Sequence, residues 1–237
     1  MSSQNELVRI QKRGFRSTLT GLGLVKKSSC WVPTARGGLV LFVAVAALVW
    51  FAVHAMYPFL AVTDPVKGRI LVLDSWLPDY ALARAMTEFT ERGYALMVAT
   101  GGPLRVGTYL VEYRTEAEVK VAILKRLGFD ERFMVAVPAE AVARDRTYAS
   151  ALALKKWLRA AGHPATSMNI YSFGVHARRS RLLFQKAFGD EMQIGIIAAE
   201  DRSYDPLHWW RSSRGVKAVG GEMMAYGYTR FFFYPTE

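Results

Sequence analysis

Cysteine is almost missing from this sequence: Cys30 is the single one, and it precedes a long apolar run. A disulfide within the chain is therefore excluded, and so is cysteine-based nucleophile or metal chemistry in all that follows the run. No set of histidines and carboxylates has the spacing typical of metal ligands, so we predict no metal site.

Charge is missing from residues 37–57, GGLVLFVAVAALVWFAVHAMY, which contain no Asp, Glu, Lys or Arg and a single histidine, His54. At about 1.5 Å per residue, a helix of this length spans a hydrocarbon core of about 30 Å. No later segment has a comparable apolar run. The sequence therefore predicts one transmembrane helix.

Acidic residues are scarce ahead of this helix. Residues 1–36 contain one acid, Glu6, and seven basic residues: Arg9, Lys12, Arg13, Arg16, Lys26, Lys27 and Arg36. The positive-inside rule then keeps the N-terminus in the cytoplasm and exports the rest of the chain. A signal peptide cleaved near residues 53–55 is the competing interpretation, but the leader and the apolar run are both long for a signal. We predict a basic cytoplasmic leader (1–36), a transmembrane helix (37–57), a linker (58–68) and an exported domain (69–237).

Short apolar runs alternate with longer amphipathic segments throughout the predicted domain. The runs at 69–74, 94–99, 133–137, 169–173 and 192–198 indicate strands, and residues 79–92, 113–127, 145–161 and 177–188 indicate helices. This alternation is typical of an α/β fold with a Rossmann-like parallel sheet and helices on both faces. Because the domain carries a modest positive excess and is exported, we expect no nucleic-acid partner.

Ligands of open parallel sheets bind beyond the carboxyl ends of the strands, so the residues that follow each strand are the site candidates. Glu116, near the start of the helix predicted after the second strand, is a further candidate. The candidates are Asp74, Trp76, Thr100, Gly101, Gly102, Glu116, Arg146, Thr147, Gly174, His176, Arg178 and Arg179.

Arginines occur where a helix favours acids. Arg178, Arg179 and Arg181 fall in the first turns of one predicted helix, and Arg146 begins another. The positive end of the helix dipole disfavours cations there by a few tenths of a kcal/mol each. A bound anion would resolve this conflict, because the guanidinium fork binds phosphate or carboxylate through paired hydrogen bonds. Salt bridges to Asp74, Asp145 or Glu116 are the alternative explanation.

His176 precedes the arginine-rich helix, and its position in a loop suits a general acid or base, or a neutral donor to phosphate. Asp74 or Glu116 would orient it or activate water. The amides of Gly101 and Gly102 can approach an anion closely, although a tight turn explains the same glycines. That turn lacks the GxGxxG and GK[ST] patterns of nucleotide sites. Trp76 can stack on a sugar, lie at the bilayer surface or pack in the core.

Together, these motifs resemble the SanA/YdcF/ElyC-like family of bacterial envelope proteins, a domain of unknown function. The ordered matches are Thr100-Gly101-Gly102, Thr115-Glu116-Ala117, Arg146-Thr147 with Ala151, and Ser172 through His176 to Arg179. They span roughly residues 69–230. The sequence departs from the family pattern at Asp74-Ser75-Trp76, Arg146 and Ser180, and Arg146 makes the site more cationic.

The resemblance implies a Rossmann-like domain of cell-envelope biogenesis, acting on peptidoglycan or its polyprenyl-phosphate carrier, and anchored in the bacterial inner membrane with the domain in the periplasm. We expect it to bind a phosphate-bearing or other anionic precursor, and the candidate reaction is phosphoryl or glycosyl-phosphate transfer or hydrolysis. Two alternatives remain: a non-catalytic envelope factor that docks on anionic lipid or a partner protein, and a domain that binds a nucleotide-like cofactor such as S-adenosylmethionine. The sequence names no cofactor.

Overall fold

The computed structural model describes residues 25–27, 31–74, 76–105, 112–163 and 165–235. Cys30 and residues 1–24 of the predicted leader lie outside them. The chain divides into two compact units, with the boundary between His54 and Ala55. The first unit contains a short antiparallel pair of strands, β1 (Val25–Lys27) and β2 (Trp31–Pro33), which the sequence analysis did not predict.

Helix α1 (Ala35–Leu60) contains the predicted transmembrane segment and extends it at both ends. Its mean hydropathy reaches 2.5 over 18 residues, and it is long and apolar enough to cross a membrane. Its 26 residues correspond to about 39 Å at 1.5 Å per residue. The helix therefore exceeds the length that a hydrocarbon core of about 30 Å requires.

The second unit contains a five-stranded sheet that is parallel throughout, in the order β5-β4-β3-β6-β7. Its strands are β3 (Ile70–Leu73), β4 (Leu96–Gly101), β5 (Met134–Pro138), β6 (Ser167–Phe173) and β7 (Gln193–Ala199). The helices are α2 (Asp79–Arg92), α3 (Glu116–Arg126), α4 (Arg146–Ala160), α5 (Ala177–Phe188) and α6 (Ser213–Phe231). The predicted α/β fold is confirmed.

Two apolar cores lie on opposite faces of this sheet because strand side chains alternate in direction. Ile70 and Val72 of β3 join the core formed with α4 and α5, whereas Leu71 and Leu73 join the core formed with α2 and α3. Such burial on both faces explains the continuous apolar runs of the strands, which are typical of parallel sheets.

Helix bounds differ from the predicted ones where local hydrogen bonds decide them. Helix α3 begins at Glu116 rather than at residue 113, because Thr115 and Glu118 form a capping box in which each side chain binds the other residue's backbone. The C-terminal segment forms the 19-residue helix α6. A 3₁₀ segment, Pro206–Arg211, precedes it.

The order of strands reverses between β3 and β6, the first and fourth strands of the sheet along the chain. The chain proceeds from β3 outward to β5 on one side, then crosses back to β6 and continues to β7 on the other. The loops after β3 and β6 consequently leave the sheet in opposite directions and open a crevice at its carboxyl edge. Asp74 follows β3 there, and His176 lies just after β6.

Candidate functional site

A cleft of about 400 Å³ opens at this crevice. Loops and helix N-termini at the carboxyl edge of the sheet line it, and α6 closes one side. The lining residues are Trp76, Gly102, Glu116, Arg144, Asp145, Arg146, Thr147, Ser150, Phe173, His176, Arg179 and Glu222. Seven of the predicted site residues are among them.

A larger cavity, of about 490 Å³, is lined by Arg69, Arg132 and His163, among others. It lies at the amino edge of the sheet, away from the usual ligand position in parallel sheets.

His176 is held by three different elements. It ends the 3₁₀ turn Gly174–His176, and its side chain is 17% exposed. Nδ1 lies 3.1 Å from Oε1 of Glu222 on α6. Nε2 lies 3.4 Å from Oγ1 of Thr147 on α4 and 3.7 Å from Oδ2 of Asp74 after β3. The ring is therefore fixed at the cleft by contacts from distant parts of the chain.

Both protonation states of His176 have a partner. Arg179 Nη2 lies 3.0 Å from His176 Nδ1, close to the Glu222 oxygen that approaches the same nitrogen. A proton on Nδ1 is donated to Glu222, because a carboxylate accepts hydrogen bonds. When Nδ1 carries a lone pair instead, it accepts from Arg179, because a guanidinium only donates. Nδ1 therefore has a hydrogen-bond partner whether or not it carries the hydrogen, so the ring keeps its position at the cleft in either tautomer.

Arg179 and Glu222 form a two-pronged ion pair. Arg179 Nε donates to Oε2 of Glu222 at 2.7 Å, and Nη2 donates to Oε1 at 2.9 Å. Burial alone raises the pKa of Glu222, but the hydrogen bonds from Arg179 and His176 outweigh it and lower the pKa to about 2. Burial likewise opposes the charge of Arg179, while the bonds to Glu222 raise its pKa. An internal carboxylate therefore neutralises one arginine at the start of α5.

The other two arginines of this helix lie outside the cleft. The Arg178 guanidinium sits 4.0 Å from the centre of the Phe59 ring, and its Nε donates to the Phe59 carbonyl. Arg181 pairs with Asp64 at 2.8 Å and donates to the Ile194 carbonyl. Arg178, a predicted ligand-binding residue, therefore does not line this cleft. The arginines of α5 have partners in the chain, as the alternative interpretation expected, although the acids involved are Glu222 and Asp64.

The N-terminus of α4 differs from that of α5 in its backbone conformation and in the exposure of its arginines. Asp145, its N-cap, adopts the left-handed conformation with φ of 57° and makes no capping hydrogen bond through its side chain. Such a conformation is strained for a residue other than glycine, and strain of this kind concentrates at functional sites. Arg146 reaches Glu116 only at 3.6 Å, and within the described part of the chain Arg144 forms no ion pair. Two exposed guanidinium groups therefore border the cleft at a positive helix end.

Asp74 is fully buried beneath this cleft. Its Oδ2 accepts hydrogen bonds from Ser172 at 3.2 Å and from Ser180. Ser180 had stood out as a departure from the family pattern, and this contact gives it a structural role. Ser172 likewise helps to orient this carboxylate.

Lys120 of α3 is the second buried charge at the strand ends. Its Nζ donates to the Thr100 carbonyl at 2.5 Å and to the Leu73 carbonyl at 3.4 Å. Burial lowers the pKa of Lys120 to about 8, and the charges of Asp74 and Glu116 oppose that shift. Lys120 therefore ties β3 to β4 directly under the cleft.

The Thr100-Gly101-Gly102 turn serves packing first. Thr100 is buried and its hydroxyl donates to the Leu73 carbonyl. A Cβ on Gly101 would lie 2.7 Å from the Cβ of Glu116, so glycine there allows α3 to approach the strand. Only Gly102 lines the cleft. Gly174 adopts a positive φ of 50° behind His176 and does not line it.

Trp76 and Phe173 form the aromatic part of the cleft. Trp76 is 64% exposed, and its ring meets Phe173 edge-on at 6.0 Å between centroids. Glu116 also lines the cleft but is engaged by Arg146, and no hydrogen bond among the described residues joins it to His176. Asp74 and Glu222 are consequently the carboxylates that position the histidine.

Sequence reasoning missed Lys120 and did not place Glu222 in the site. Lys120 carried a detectable signal, because it shares the buried face of α3 with Ala117 and Leu124 at helical spacing. Glu222 carried a weaker one, as the single acid in the apolar C-terminal segment. In the described residues, no three His, Cys, Asp or Glu side chains are grouped to hold a metal ion.

The chain matches no protein-family model, and no curated protein matches it in sequence.

Proposed function

We propose that this chain is a membrane-anchored envelope protein whose cleft binds a phosphate-bearing precursor, and that His176 acts as the acid or base of a phosphoryl or glycosyl-phosphate transfer or hydrolysis. The positive-inside distribution of basic residues supports a cytoplasmic N-terminus and a periplasmic domain in the bacterial inner membrane. The resemblance to the SanA/YdcF/ElyC-like family supports an envelope role. The chemistry itself rests on the cleft.

The observation that carries the proposal is the exposed positive end of α4. Three helices begin at the cleft, and α3 alone among them has a side-chain cap, whereas α4 and α5 have none. Uncapped helix N-termini attract anions through their amide groups and dipoles. Arg144 and Arg146 add two exposed positive charges at the α4 end, and a guanidinium group binds phosphate through two parallel hydrogen bonds. An anionic ligand would stabilise all of these groups together.

His176 provides the chemistry that binding alone does not need. As a base it would take a proton from an attacking water or hydroxyl, and as an acid it would give one to the leaving oxygen. Glu222 holds its Nδ1 side and Asp74 lies near its Nε2 side. Trp76 at the cleft mouth offers an aromatic surface for the sugar of a glycosyl phosphate.

Replacing Arg144 and Arg146 with glutamine is expected to lower affinity for phosphate-bearing ligands about 100-fold, because each lost charge-assisted hydrogen bond contributes about 1.5–3 kcal/mol. The measurement is thermal melting of the full chain in detergent micelles with inorganic phosphate, glucose 1-phosphate, farnesyl diphosphate, nucleotides and S-adenosylmethionine. A ligand present at a hundred times its dissociation constant stabilises the protein by about 2.7 kcal/mol. Arg179 is unsuitable for this test, since its removal leaves Glu222 without its ion pair.

Arg126→Gln is the control, because it likewise replaces an exposed arginine with glutamine, but in the last turn of α3 at the other edge of the sheet. It should leave every ligand-induced shift intact. Shifts that are equal in the two variants, or absent with every anion, would refute the anion site. A shift with S-adenosylmethionine alone would favour the cofactor-binding alternative.

Substituting His176 with asparagine is expected to leave the ligand-induced melting shift in place and to reduce turnover on the order of 100-fold. Turnover is measured as inorganic phosphate released from farnesyl diphosphate or glucose 1-phosphate. Ligand binding without turnover in the unaltered chain would favour the non-catalytic envelope factor. Undiminished turnover in the asparagine variant would remove His176 from the reaction.

A further inference from the structure

Helix α6 has an apolar outer face that the described part of the chain does not cover. Its inner face carries Glu222, which pairs with Arg179, and the buried side chains of Val219 and Thr229. On the outer face, Met224 is 74% exposed and Phe231 is 66% exposed. Tyr228 lies between them at helical spacing, and the exposed rings of Phe232 and Tyr234 continue the apolar surface beyond the helix.

The charges around this face are all of one sign. Residues 206–235 contain a single acid, Glu222, which is turned inward and paired with Arg179. The basic side chains of the same segment are exposed: Arg211, Arg214, Lys217 and Arg230. An aromatic and apolar face bordered by Lys and Arg is the pattern of a helix that lies in a membrane interface, where rings enter the headgroup layer and cations meet anionic lipid.

Contacts within the second unit join α6 to the end of the apolar helix. Tyr226 meets Phe59 edge-on, with 5.4 Å between the ring centroids. Phe59 is the penultimate residue of α1, a helix that exceeds the length needed for a hydrocarbon core of about 30 Å. The predicted membrane span ends at residue 57, so Phe59 would lie at the level of the headgroups, and α6 contacts it there through Tyr226.

We propose that the outer face of α6, formed by Met224, Tyr228, Phe231 and Phe232, docks on the anionic surface of the bilayer that α1 spans. Lipid is favoured over a protein partner because Phe59 lies next to the predicted membrane span and because the exposed charged side chains of residues 206–235 are all basic. This inference rests on the proposed membrane anchoring. It also deepens the proposed ligand class, since Glu222 projects from the opposite side of the same helix into the cleft. A docked α6 brings the cleft to the level of lipid-linked phosphates.

The test uses the full chain with Cys30→Ser, reconstituted in nanodiscs of phosphatidylglycerol and phosphatidylethanolamine. Single cysteines carrying the fluorophore NBD are introduced as Tyr228→Cys on α6, Val45→Cys in α1 and Leu127→Cys. Leu127 is the matched control because it is 44% exposed, close to the 49% of Tyr228, yet it lies at the end of α3 at the other edge of the sheet. Circular dichroism verifies that each variant is folded.

We expect NBD at positions 228 and 45 to show blue-shifted emission. Most of the emission intensity at these two positions should be quenched when brominated lipids replace ordinary ones, whereas NBD at 127 keeps its emission. Quenching at 45 without quenching at 228 would overturn the docking and leave the anchor standing. Absence of quenching at 45 would overturn both. Emission at 228 that is blue-shifted but not quenched would mean that protein, such as a second copy of this chain, covers the face, and lipid docking would again be overturned. None of these readouts depends on the cleft ligand.

Discussion

Replacing Asp74 with alanine is expected to lower the free energy of unfolding by about 4 kcal/mol, because the change breaks a buried charged network. Asp74 is fully buried and accepts hydrogen bonds from Ser172 and Ser180. Its charge also favours the protonated form of the buried Lys120. Alanine would leave the Ser172 and Ser180 hydroxyls with only their mutual hydrogen bond and the buried Lys120 ammonium group with Glu116 as its remaining nearby carboxylate. Denaturation by urea in detergent micelles, followed by tryptophan fluorescence, measures the loss.

Asp79→Ala is the control for this experiment. It also removes an aspartate near the carboxyl end of β3, but Asp79 is exposed in the first turn of α2. Its loss should cost less than about 1 kcal/mol, the usual contribution of an acid at a helix start. Equal losses in the two variants would contradict the buried network. Combining Asp74→Ala with Lys120→Met should restore part of the stability, because it removes the stranded charge together with its counter-charge.

The sheet could be predicted from the sequence because each strand and each helix is specified by residues that are close together in the chain. Each strand is a short apolar run with β-branched residues, and each helix repeats its apolar positions at a spacing of three to four. All strands of a parallel sheet end at the same edge, so Asp74, His176 and Arg146 could be assigned to that edge before any distance was known. The local pattern was sufficient for the positions of backbone segments.

The pairing of charges within the site could not be predicted in the same way. Glu222 is 43 residues from Arg179 in sequence and 46 from His176, and no periodicity links a C-terminal helix to a strand-end loop. Arg178 was assigned to the cleft because it adjoins Arg179. Neighbouring residues on a helix point about 100° apart, however, so the two guanidinium groups reach different surroundings. Direction around the helix axis, rather than sequence position, decided which arginine lines the cleft.

The arginines at the start of α5 now have separate explanations. Arg178 binds the carbonyl and ring of Phe59, and Arg181 binds Asp64 and the β7 carbonyl of Ile194. Both fasten the residues around the end of α1 to the domain. Only Arg179 is directed to the cleft, where Glu222 neutralises it. The unusual placement of cations at this helix end therefore reflects contacts with the rest of the chain, and the anion site we propose is shifted to α4.

Glu222→Gln is expected to destabilise the chain by about 3 kcal/mol at pH 7, which corresponds to a carboxyl pKa lowered from 4.5 to about 2. The ionised form is the one stabilised in the folded protein. Its contribution is therefore fully present above about pH 4.5 and is lost as the pH falls through 2. The difference in unfolding free energy between the unaltered chain and the glutamine variant should shrink over that range, because a protonated glutamate resembles glutamine. Urea denaturation between pH 7 and pH 2 measures it.

Glu191→Gln is the control that shows how much of the stability loss in Glu222→Gln depends on the burial of the ion pair. Glu191 also pairs with an arginine through two hydrogen bonds, from Arg159 at 2.8 and 2.9 Å, but both side chains are exposed. Exposed ion pairs contribute little, so this variant should change stability far less than Glu222→Gln does.

A second comparison identifies the origin of the stability that Glu222→Gln loses. Arg179→Met alone strands Glu222, whereas Arg179→Met with Glu222→Met removes both charges and should recover stability. If the double variant instead lost as much stability as the two single variants together, Arg179 and Glu222 would not be coupled. Arg179 would then again need a ligand to explain its place at the start of α5.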